Sequence, residues 1–394
     1  MQTVVLAAGS GTRMRPFTDT QPKPTLPIAG RPLLSHTLSG AVKAGASRLI
    51  VVVSRRTSAV QAAIGDAVDG VPVEYVTQTE QRGTADAVAA ALDALAPGPF
   101  VVLNGDSLYD ETAMATLYES TPAVGSFRVD DPQSYGVLTV SDGRVTGVTE
   151  KPTAPQSDLI NAGAYALPEE VQQWLDVPES ERGELEFTDV LSRACDAFEV
   201  TPVTFERWLD VGRPWDLLAA NEWKVPEVES RIEGTVHEDA VLSGNVHVAA
   251  DATVRSGVVV DGPAYVDSGA TVGPNAYLRG TTYVGPGAKV GHAVEVKNSV
   301  LMADATVGHL SYVGDSILGR ETNFGAGTKV ANLRHDGQPV QLTVKGERVS
   351  TGRRKFGVVL GDGAKTGINT SLNAGVTLST GAATTPGEVV TRDK

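Results

Sequence analysis

Two different periodicities divide the chain. Up to about residue 225, short β-branched and apolar runs alternate with segments of helical spacing. The runs are TVVLA (3–7), RLIVVVS (48–54), VEYVTQ (73–78) and FVVLNGD (100–106). Their near-continuous apolar character suits strands covered on both faces of a parallel sheet. Between them, PLLSHTLSGAVKAG, TSAVQAAIGDAV and GTADAVAAALDAL place apolar residues on one helical face. This alternation predicts βαβ units in an α/β, Rossmann-like domain with a mostly parallel sheet, whose ligands bind at the carboxyl ends of the strands. RPWDLLAANEW (213–223) reads as a helix that closes the domain.

Beyond Val225 the period becomes six. Val236, Leu242, Val248, Val254, Val260, Val266, Val272, Leu278, Val284, Val290, Val296 and Met302 follow one another at that interval. Two positions before each stands a small or β-branched residue, from Gly234 and Ala240 to Val300. A hexapeptide repeat predicts a left-handed parallel β-helix with three six-residue sides per coil, the aliphatic residue pointing inward. The register is expected to slip by one at Val307 and again at Leu318. It then continues through Phe324 and Val330 and resumes after an insertion at Leu360, Thr366, Leu372 and Leu378. Solenoids accept such insertions as loops leaving one edge. The expected domains are therefore 1–225 and 226–394, joined near KVPEVESRIEG (224–234), with the insertion at about 331–355.

Composition narrows the function classes. The 394 residues carry 47 Asp+Glu against 33 Lys+Arg, a net charge of −14, which disfavours non-specific nucleic-acid binding. Only 11 of the cations are lysines, a balance that fits either a high-salt cytoplasm or a GC-rich genome. Val4 to Ala8 is too short for a signal peptide, and no run approaches the ~20 apolar residues of a membrane span. Cys195 is the one cysteine, so no internal disulfide can form and a reducing cytoplasm is expected.

Against this acidic background the loop LAAGSGTRMRPFTDTQPKP (6–24) stands out. Gly9 and Gly11 follow a strand and let main-chain N–H groups approach an anion. The loop is neither a P-loop nor a dinucleotide fingerprint, because Met14 takes the third glycine position. Gly11-Thr12-Arg13, with Lys23 between two prolines ten residues on, resembles the signature of sugar-1-phosphate nucleotidylyltransferases. That resemblance implies that the loop wraps a nucleoside triphosphate. Arg13 would hold the β- and γ-phosphates that leave as pyrophosphate, and Lys23 would stabilise charge on the α-phosphate. Such transfers rest on positioning and charge neutralisation.

The resemblance extends through the first domain as an ordered series. Gln78 with Gly83 and Thr84 of QRGTADAV would read a pyrimidine, uridine or thymidine, with Ala85 in the same loop. Asp106 of LNGD and Asp210 of RWLDVG would hold Mg²⁺ through hard oxygen ligands. Taken alone, each aspartate is more commonly a turn or cap residue. Gly136 of SYGVL, Glu150 and Lys151 of TEKP, and Asn161 of NAGAY would contact the sugar phosphate, with Gly163 permitting close approach. WLDVG is nearer to thymidylyltransferases for glucose 1-phosphate than to bacterial uridylyltransferases.

Hexapeptide solenoids include acyltransferases and plain oligomerisation platforms. VEVKNSVLMADATVGHLSYVGDSILGRETNFGAGTKVAN (294–332) adds polar residues to the repeat at fixed places. It resembles the acetyltransferase half of bifunctional glucosamine-1-phosphate acetyltransferase/N-acetylglucosamine-1-phosphate uridylyltransferases, here of the archaeal type. By that likeness His309 is the general base for attack of a sugar 2-amino group on acetyl-CoA. Its ordinary pKa, ~6.5, suits the task. Arg279, Lys297 and Lys355 would hold the sugar phosphate, Tyr312 and Asn323 the sugar, and Asn332 the acetyl donor. His237, His247 and His292 also lie in the solenoid, but only His309 stands in the GHLSYVGD context. The insertion carries Arg334, Lys345, Arg348, Arg353, Arg354 and Lys355 against Asp336 and Glu347, a basic loop suited to phosphates.

The resulting expectation is a bifunctional cytoplasmic enzyme of nucleotide-sugar synthesis. It would take UTP or dTTP, acetyl-CoA, sugar 1-phosphates and Mg²⁺, and assemble as a homotrimer through the solenoid, with no nucleic-acid or membrane partner. Two alternatives remain open on sequence. One is a single-activity glucose-1-phosphate thymidylyl- or uridylyltransferase with a structural or regulatory β-helix. The other is a non-catalytic exchange-factor subunit, which often lacks the cations and carboxylates present here.

Overall fold

Alternation of side chains across a strand sends successive apolar residues to opposite faces of a sheet, and the first half of the chain uses both faces. In the computed structural model, which describes residues 1–54 and 57–394, strand β1 is Gln2–Ala7. Its Val4 pairs in parallel with Ile50 of β2 (Arg48–Val53) on one side. On the other it pairs with Val102 of Phe100–Asn104. With Val71–Thr77 as β3 beside β2 and Phe100–Asn104 as β4, the four predicted strands form a parallel core. Val4, Ile50, Val52 and Val102 pack on one face with Ala85, Val88, Phe187 and Leu191. Val5, Val51, Val53 and Leu103 pack on the other with Leu34, Leu38, Met114 and Leu117. The helices that supply these residues are α1 (Leu33–Lys43), α3 (Thr84–Ala89), α4 (Glu111–Glu119) and α5 (Phe187–Ala197), and α2 (Thr57–Ile64) adds Val60 to the second face.

Beyond β4 the ten-stranded sheet turns antiparallel. Leu159–Leu167 runs against β4, and Gly136–Ser141 and Ala123–Arg128 run against Leu159–Leu167 in turn. Ser107–Tyr109 leaves the main sheet and pairs with Trp208–Asp210, which sets Asp210 opposite Ser107.

The chain forms two compact units. Residues 1–10, 22–25 and 32–210 make the first; residues 11–21, 26–31 and 211–394 make the second. In the second, helix α6 (Pro214–Lys224) begins with proline at its first position and an Asp216 carboxylate that accepts from the Gly212 and Arg213 amides at 3.1 and 2.7 Å.

The rest of that unit is the β-helix, with three parallel sheets of eight, six and eight strands. Val236 stacks on Val254, Val248 on Val266, and Val260 on Leu278, each one coil and eighteen residues on. These inward residues and corner alanines such as Ala252, Ala270 and Ala288 form one continuous core. The slip in register comes one hexad earlier than the sequence pattern suggests. Val284 pairs with Leu301 and Val290 with Val307, so the shortened side precedes Leu301. Met302 fills the six-residue slot only by coincidence of type: it is buried but lies outside the interior stack.

The insertion leaves after Val330 and folds as a hairpin, Gln341–Val344 against Glu347–Ser350. Lys345 and Gly346 at its tip have positive φ, as a two-residue turn between strands requires. The solenoid then resumes in register, Leu360 on Leu318 and Leu372 on Val330. Thr366 occupies an inward slot as expected, and its hydroxyl is satisfied by the Gly325 amide at 3.0 Å and Thr328 Oγ1 at 2.8 Å.

Leu301 sits fully buried between Val284 and Leu318. Leu301→Ala is expected to cost about 2–5 kcal/mol in denaturant unfolding of the solenoid. A loss below ~1 kcal/mol would contradict its interior placement.

Candidate active sites

In the first unit, chemistry gathers where β4 ends. Gly105 follows β4 so closely beneath β1 that a Cβ there would lie 2.8 Å from the Leu6 carbonyl oxygen. The next residue, Asp106, receives Lys23 Nζ at 2.6 Å on Oδ2. The Lys23 side chain is only 7% exposed, whereas Asp106 is 36% exposed. Pairing of Asp210 with Ser107 brings the second carboxylate to the residue beside Asp106. Among the described residues no group of three or more His, Cys, Asp or Glu gathers. Two carboxylates are nevertheless a sufficient protein share for Mg²⁺, which usually takes one or two plus substrate phosphates and water.

The segment expected to read a base is tightly tied. Gln78 is buried, and its Nε2 donates to Asp86 Oδ2 at 2.7 Å and to the Gly83 carbonyl at 3.3 Å. Gly83 has φ +136°, and a Cβ on it would meet the Leu185 carbonyl oxygen at 2.2 Å. Thr84 Oγ1 accepts from the Phe187 amide at 3.0 Å, fastening this segment to the start of α5. Asp86, which orients Gln78, was not singled out from the sequence. A charged residue on a short helix carries no periodic signal.

The sugar-contact candidates lie along the antiparallel strands. Gly136 pairs with Glu150, and a Cβ on Gly136 would stand 3.0 Å from Glu150 Oε2. Burial raises the Glu150 carboxyl above its ordinary value, and the nearby Lys151 only partly offsets this. Lys151 has φ +43° and lies 3.4 Å from Glu150 Oε1. Asn161 donates to the Tyr165 hydroxyl oxygen at 2.7 Å and accepts from the Gly163 amide at 3.0 Å. Gly163 (φ +71°) leaves no room for a Cβ, which would fall 2.1 Å from Asn104 Nδ2. Cys195 is half-buried, and its thiol is pushed up to about 11, chiefly by burial; it is no nucleophile at neutral pH.

In the second unit, residues 11–21 form two 3₁₀ turns. Gly11 has φ +64°, a conformation that favours glycine. Its carbonyl accepts from the Met14 amide at 2.9 Å and from Thr18 Oγ1 at 2.8 Å. Met14 and Phe17 are fully buried, and Thr12-Arg13 is carried outward with Arg13 exposed.

On the solenoid, coil stacking lines up four of the expected residues along one side. Arg279 pairs in register with Lys297 and Lys297 with Gly314, while Tyr312 stands beside Glu295. Arg279 is ion-paired to Glu295 at 2.7 Å. Lys297 Nζ donates to both oxygens of Asp315, at 2.8 and 2.7 Å. Asn332 Nδ2 donates to Asp315 Oδ2 at 2.5 Å and to the Tyr312 hydroxyl oxygen at 3.2 Å. Burial, then the charges of Asp315 and Glu295, raise the Tyr312 phenol. Asp315, 2% exposed, is thus a hub the sequence did not reveal. Asn298 links it at 3.0 Å to Glu222 of α6.

His309 and Asn323 belong to the neighbouring side. His309 ends the strand Thr306–His309 opposite His292, and its ring is exposed. Leu310, with φ +53°, turns the corner from His309 toward Tyr312. Asn323 is exposed one coil on, opposite Thr306. Lys355 is exposed on the segment returning from the insertion, where it forms an isolated antiparallel bridge with Leu333.

Part of the insertion's charge is taken up by partners within the protein. Arg334 pairs with Asp336, and Arg353 Nη1 reaches Glu222 Oε2 at 3.0 Å. Arg348 donates to the Gln341 and Gly375 carbonyls at 2.6 and 3.2 Å. An arginine 131 residues from its partner looks unspent in a local count of charge.

Comparison with known proteins agrees with both halves. A family described as "Nucleotidyl transferase" matches residues 2–225, and one described as "GMPPB C-terminal domain" matches residues 260–376. The chain is 39% identical over 386 residues to the bifunctional protein GlmU of Methanococcus vannielii, covering 95% of this chain and 91% of that one. It is 37% identical to a bifunctional sugar-1-phosphate nucleotidylyltransferase/acetyltransferase of Sulfurisphaera tokodaii, covering 100% and 98%. A low-salt glycan biosynthesis nucleotidyltransferase of Haloferax volcanii is 35% identical, over 83% of this chain and 94% of that one. Among solved structures, a glucose-1-phosphate thymidylyltransferase of Bacillus anthracis in complex with sucrose matches with TM-score 0.52 and 25% identity, over 56% of this chain and 94% of that one. The chain belongs to the archaeal family of bifunctional sugar-1-phosphate nucleotidylyltransferase/acetyltransferases.

Proposed function

We propose that residues 1–225 transfer a uridylyl group from UTP to N-acetylglucosamine 1-phosphate, and that residues 226–394 make that sugar phosphate by acetylating glucosamine 1-phosphate with acetyl-CoA. The observation that carries the reading is the meeting of Lys23, Asp106 and the Asp210 strand at the end of β4. A deeply buried ammonium against a half-exposed carboxylate, with a second acid beside it, suits a phosphate–metal centre.

In the first reaction an oxygen of the sugar phosphate attacks the α-phosphorus of UTP. The bond from that phosphorus to the bridging oxygen breaks, and pyrophosphate leaves. Arg13 binds the β- and γ-phosphates and Lys23 the α-phosphate, where charge accumulates. Gly9 and Gly11 bring main-chain amides to the phosphates. Apart from its chain neighbours, no described atom lies within 4 Å of where a Gly9 Cβ would stand, which leaves room for an anion to approach the main chain. Asp106 and Asp210 would hold Mg²⁺, which neutralises charge on both phosphates when bound. Gln78, with its Nε2 committed to Asp86, offers its carbonyl oxygen to the N3–H of uracil. Glu150 accepts from sugar hydroxyls, Lys151 and Asn161 hold the sugar phosphate, and Gly136 keeps the approach open.

In the second reaction His309 takes a proton from the 2-amino nitrogen. The amine attacks the thioester carbonyl, the C–S bond breaks, and CoA leaves as the thiol after protonation. Arg279, Lys297 and Lys355 orient the sugar phosphate, Tyr312 and Asn323 the ring, and Asn332 the acetyl donor. In this reading the assembly is a homotrimer through the solenoid, working in the cytoplasm. The thymine nucleotide and glucose 1-phosphate form a second reading, favoured by WLDVG and by the named activity of the Bacillus anthracis relative. In that reading the solenoid has no chemistry.

Turnover of the two halves separates these readings. Asp106→Asn should lower pyrophosphate release by at least about a hundredfold while leaving CoA thiol release intact. His309→Ala should do the reverse, by about 10²–10⁴-fold; indifference of both activities to it would favour the second reading.

Glu150 gives a pH test. Its folded pKa is raised, so the ionised group costs stability at neutral pH and the cost vanishes as pH falls through that raised value. Glu150→Gln should therefore melt no lower than wild type at pH 7, its relative advantage shrinking toward acid. The same change should raise KM for the sugar phosphate about tenfold, the loss of a hydrogen bond to a charged acceptor. Wild-type KM should worsen on acidification from a midpoint above 4.5, and the variant should lack that limb.

A further inference from the structure

The segment that carries Thr12-Arg13 belongs to the same compact unit as the solenoid, and specific polar contacts hold it there. Thr20 Oγ1 donates to Asp362 Oδ2 at 2.7 Å. Asp362 is 8% exposed and is itself held from the other side, by the Arg320 amide at 2.8 Å and Arg320 Nε at 2.7 Å. Arg320 and Asp362 lie on successive coils at a corner, where the Gly319 and Gly363 amides close the backbone onto Leu360 and Arg320 at 2.8 and 2.7 Å. The neighbouring Gln21 donates through Nε2 to the Met302 sulfur at 3.8 Å. Pro16 packs so closely on Gly361 that a Cβ added there would stand 2.9 Å from the proline ring. Met302, displaced from the solenoid interior by the shortened side before Leu301, thereby gains a use on the outside.

We propose that Asp362, held by Arg320, is a positioning residue for nucleotidyl transfer: through Thr20 it holds residues 11–21 in the conformation in which Arg13 meets the triphosphate. This rests on the reading of that segment as the triphosphate loop. The physical reason is entropic. Within these eleven residues the bonds include two short turns, the Thr18–Gly11 link, an exposed Arg15–Asp19 ion pair at 3.1 Å and a longer contact of Thr20 Oγ1 with the Phe17 carbonyl at 3.3 Å. Such local bonds offset little of the entropy lost on ordering the segment. A buried carboxylate fixed by a guanidinium and an amide offers a rigid external acceptor. The solenoid then has a function in the first reaction that is separate from any acetylation.

Thr20→Val removes the hydroxyl at nearly constant shape, Thr20→Ser keeps it, and Asp362→Asn weakens the acceptor and its hold by Arg320. In full-length protein, Thr20→Val and Asp362→Asn should each raise KM for UTP about tenfold, equivalent to about 1.4 kcal/mol. KM for N-acetylglucosamine 1-phosphate and the rate of CoA release should stay within twofold, and Thr20→Ser should behave as wild type. Amide exchange in the ligand-free protein should quicken at Met14 and Asp19, which donate to Gly11 and Pro16 within the loop, and only in Thr20→Val and Asp362→Asn. A merely structural role would lower the melting temperature without the selective KM change or the serine rescue. Unchanged exchange at those amides in Thr20→Val, or an unchanged KM for UTP, overturns the inference. If wild type turns over no nucleotide, the proposed function has failed, and the exchange comparison still decides whether this contact holds the loop.

Discussion

Main-chain hydrogen bonding between successive coils is the constraint on which the second unit depends. Once Val236 pairs with Val254 and each later strand repeats the step, a side chain's neighbours are set by its number in the repeat. The fold cannot move a functional group sideways; it can only choose which residue occupies a given slot. Arg279, Lys297 and Gly314 come into line because they share one slot on three coils. His309 and Tyr312 lie on different sides because the corner at Leu310 falls between them. Shortening one side by a single residue before Leu301 preserves the pairing while altering what the next corner presents.

Charge is the second constraint, and it acts locally. A protein of net charge −14 has carboxylates to spare, and it pairs them with cations along the second unit. Lys297 against Asp315, Arg279 against Glu295, Arg320 against Asp362 and Arg353 against Glu222 are all such pairs. The buried members of these pairs cost desolvation that only good geometry offsets. Asp315 meets that condition by accepting from Lys297, Asn298 and Asn332 together. The result is a row of donors with fixed direction and little net charge, closer to a template than to an electrostatic funnel. A phosphate arriving there gains oriented hydrogen bonds more than long-range attraction.

These two constraints explain what could be read in advance. The six-residue period was legible because inward positions accept only aliphatic residues, and each coil repeats the demand. The early slip was not, because Met302 satisfies the pattern by type while pairing shows Leu301 inside. The parallel core of the first unit was legible in Val4, Ile50 and Val102 on one face and Val5, Val51 and Leu103 on the other, all buried. Its antiparallel half was not: strands such as Arg144–Glu150 bury fully only Val145 and include glycine, so they carry little apolar signal. Lys23, Asp106 and Asp210 were marked as candidates by resemblance to a family's motifs, and the fold brings Lys23 onto Asp106 and the Asp210 strand beside it. Asp86, Asp315 and Asp362 escaped, since each matters through a partner that the fold supplies and that no periodicity announces.

The Lys23–Asp106 pair bears on how the first reaction begins. An ammonium as buried as that of Lys23 is costly without a counter-charge, and Asp106 supplies it at 2.6 Å. In the proposed reaction both groups must change partners, Lys23 to a phosphate and Asp106 to a cation. A triphosphate that drew Lys23 away alone would leave a carboxylate facing anionic phosphate, while a cation that drew Asp106 away alone would leave two like charges near each other. Each arrival therefore removes a penalty that the other would meet. Under that proposal, binding of nucleotide and metal would be coupled through this one pair, and by linkage the coupling would be equal in both directions. Asp210, brought to the next position by the Ser107 pairing, adds acid on the cation's side of that exchange and so strengthens the coupling.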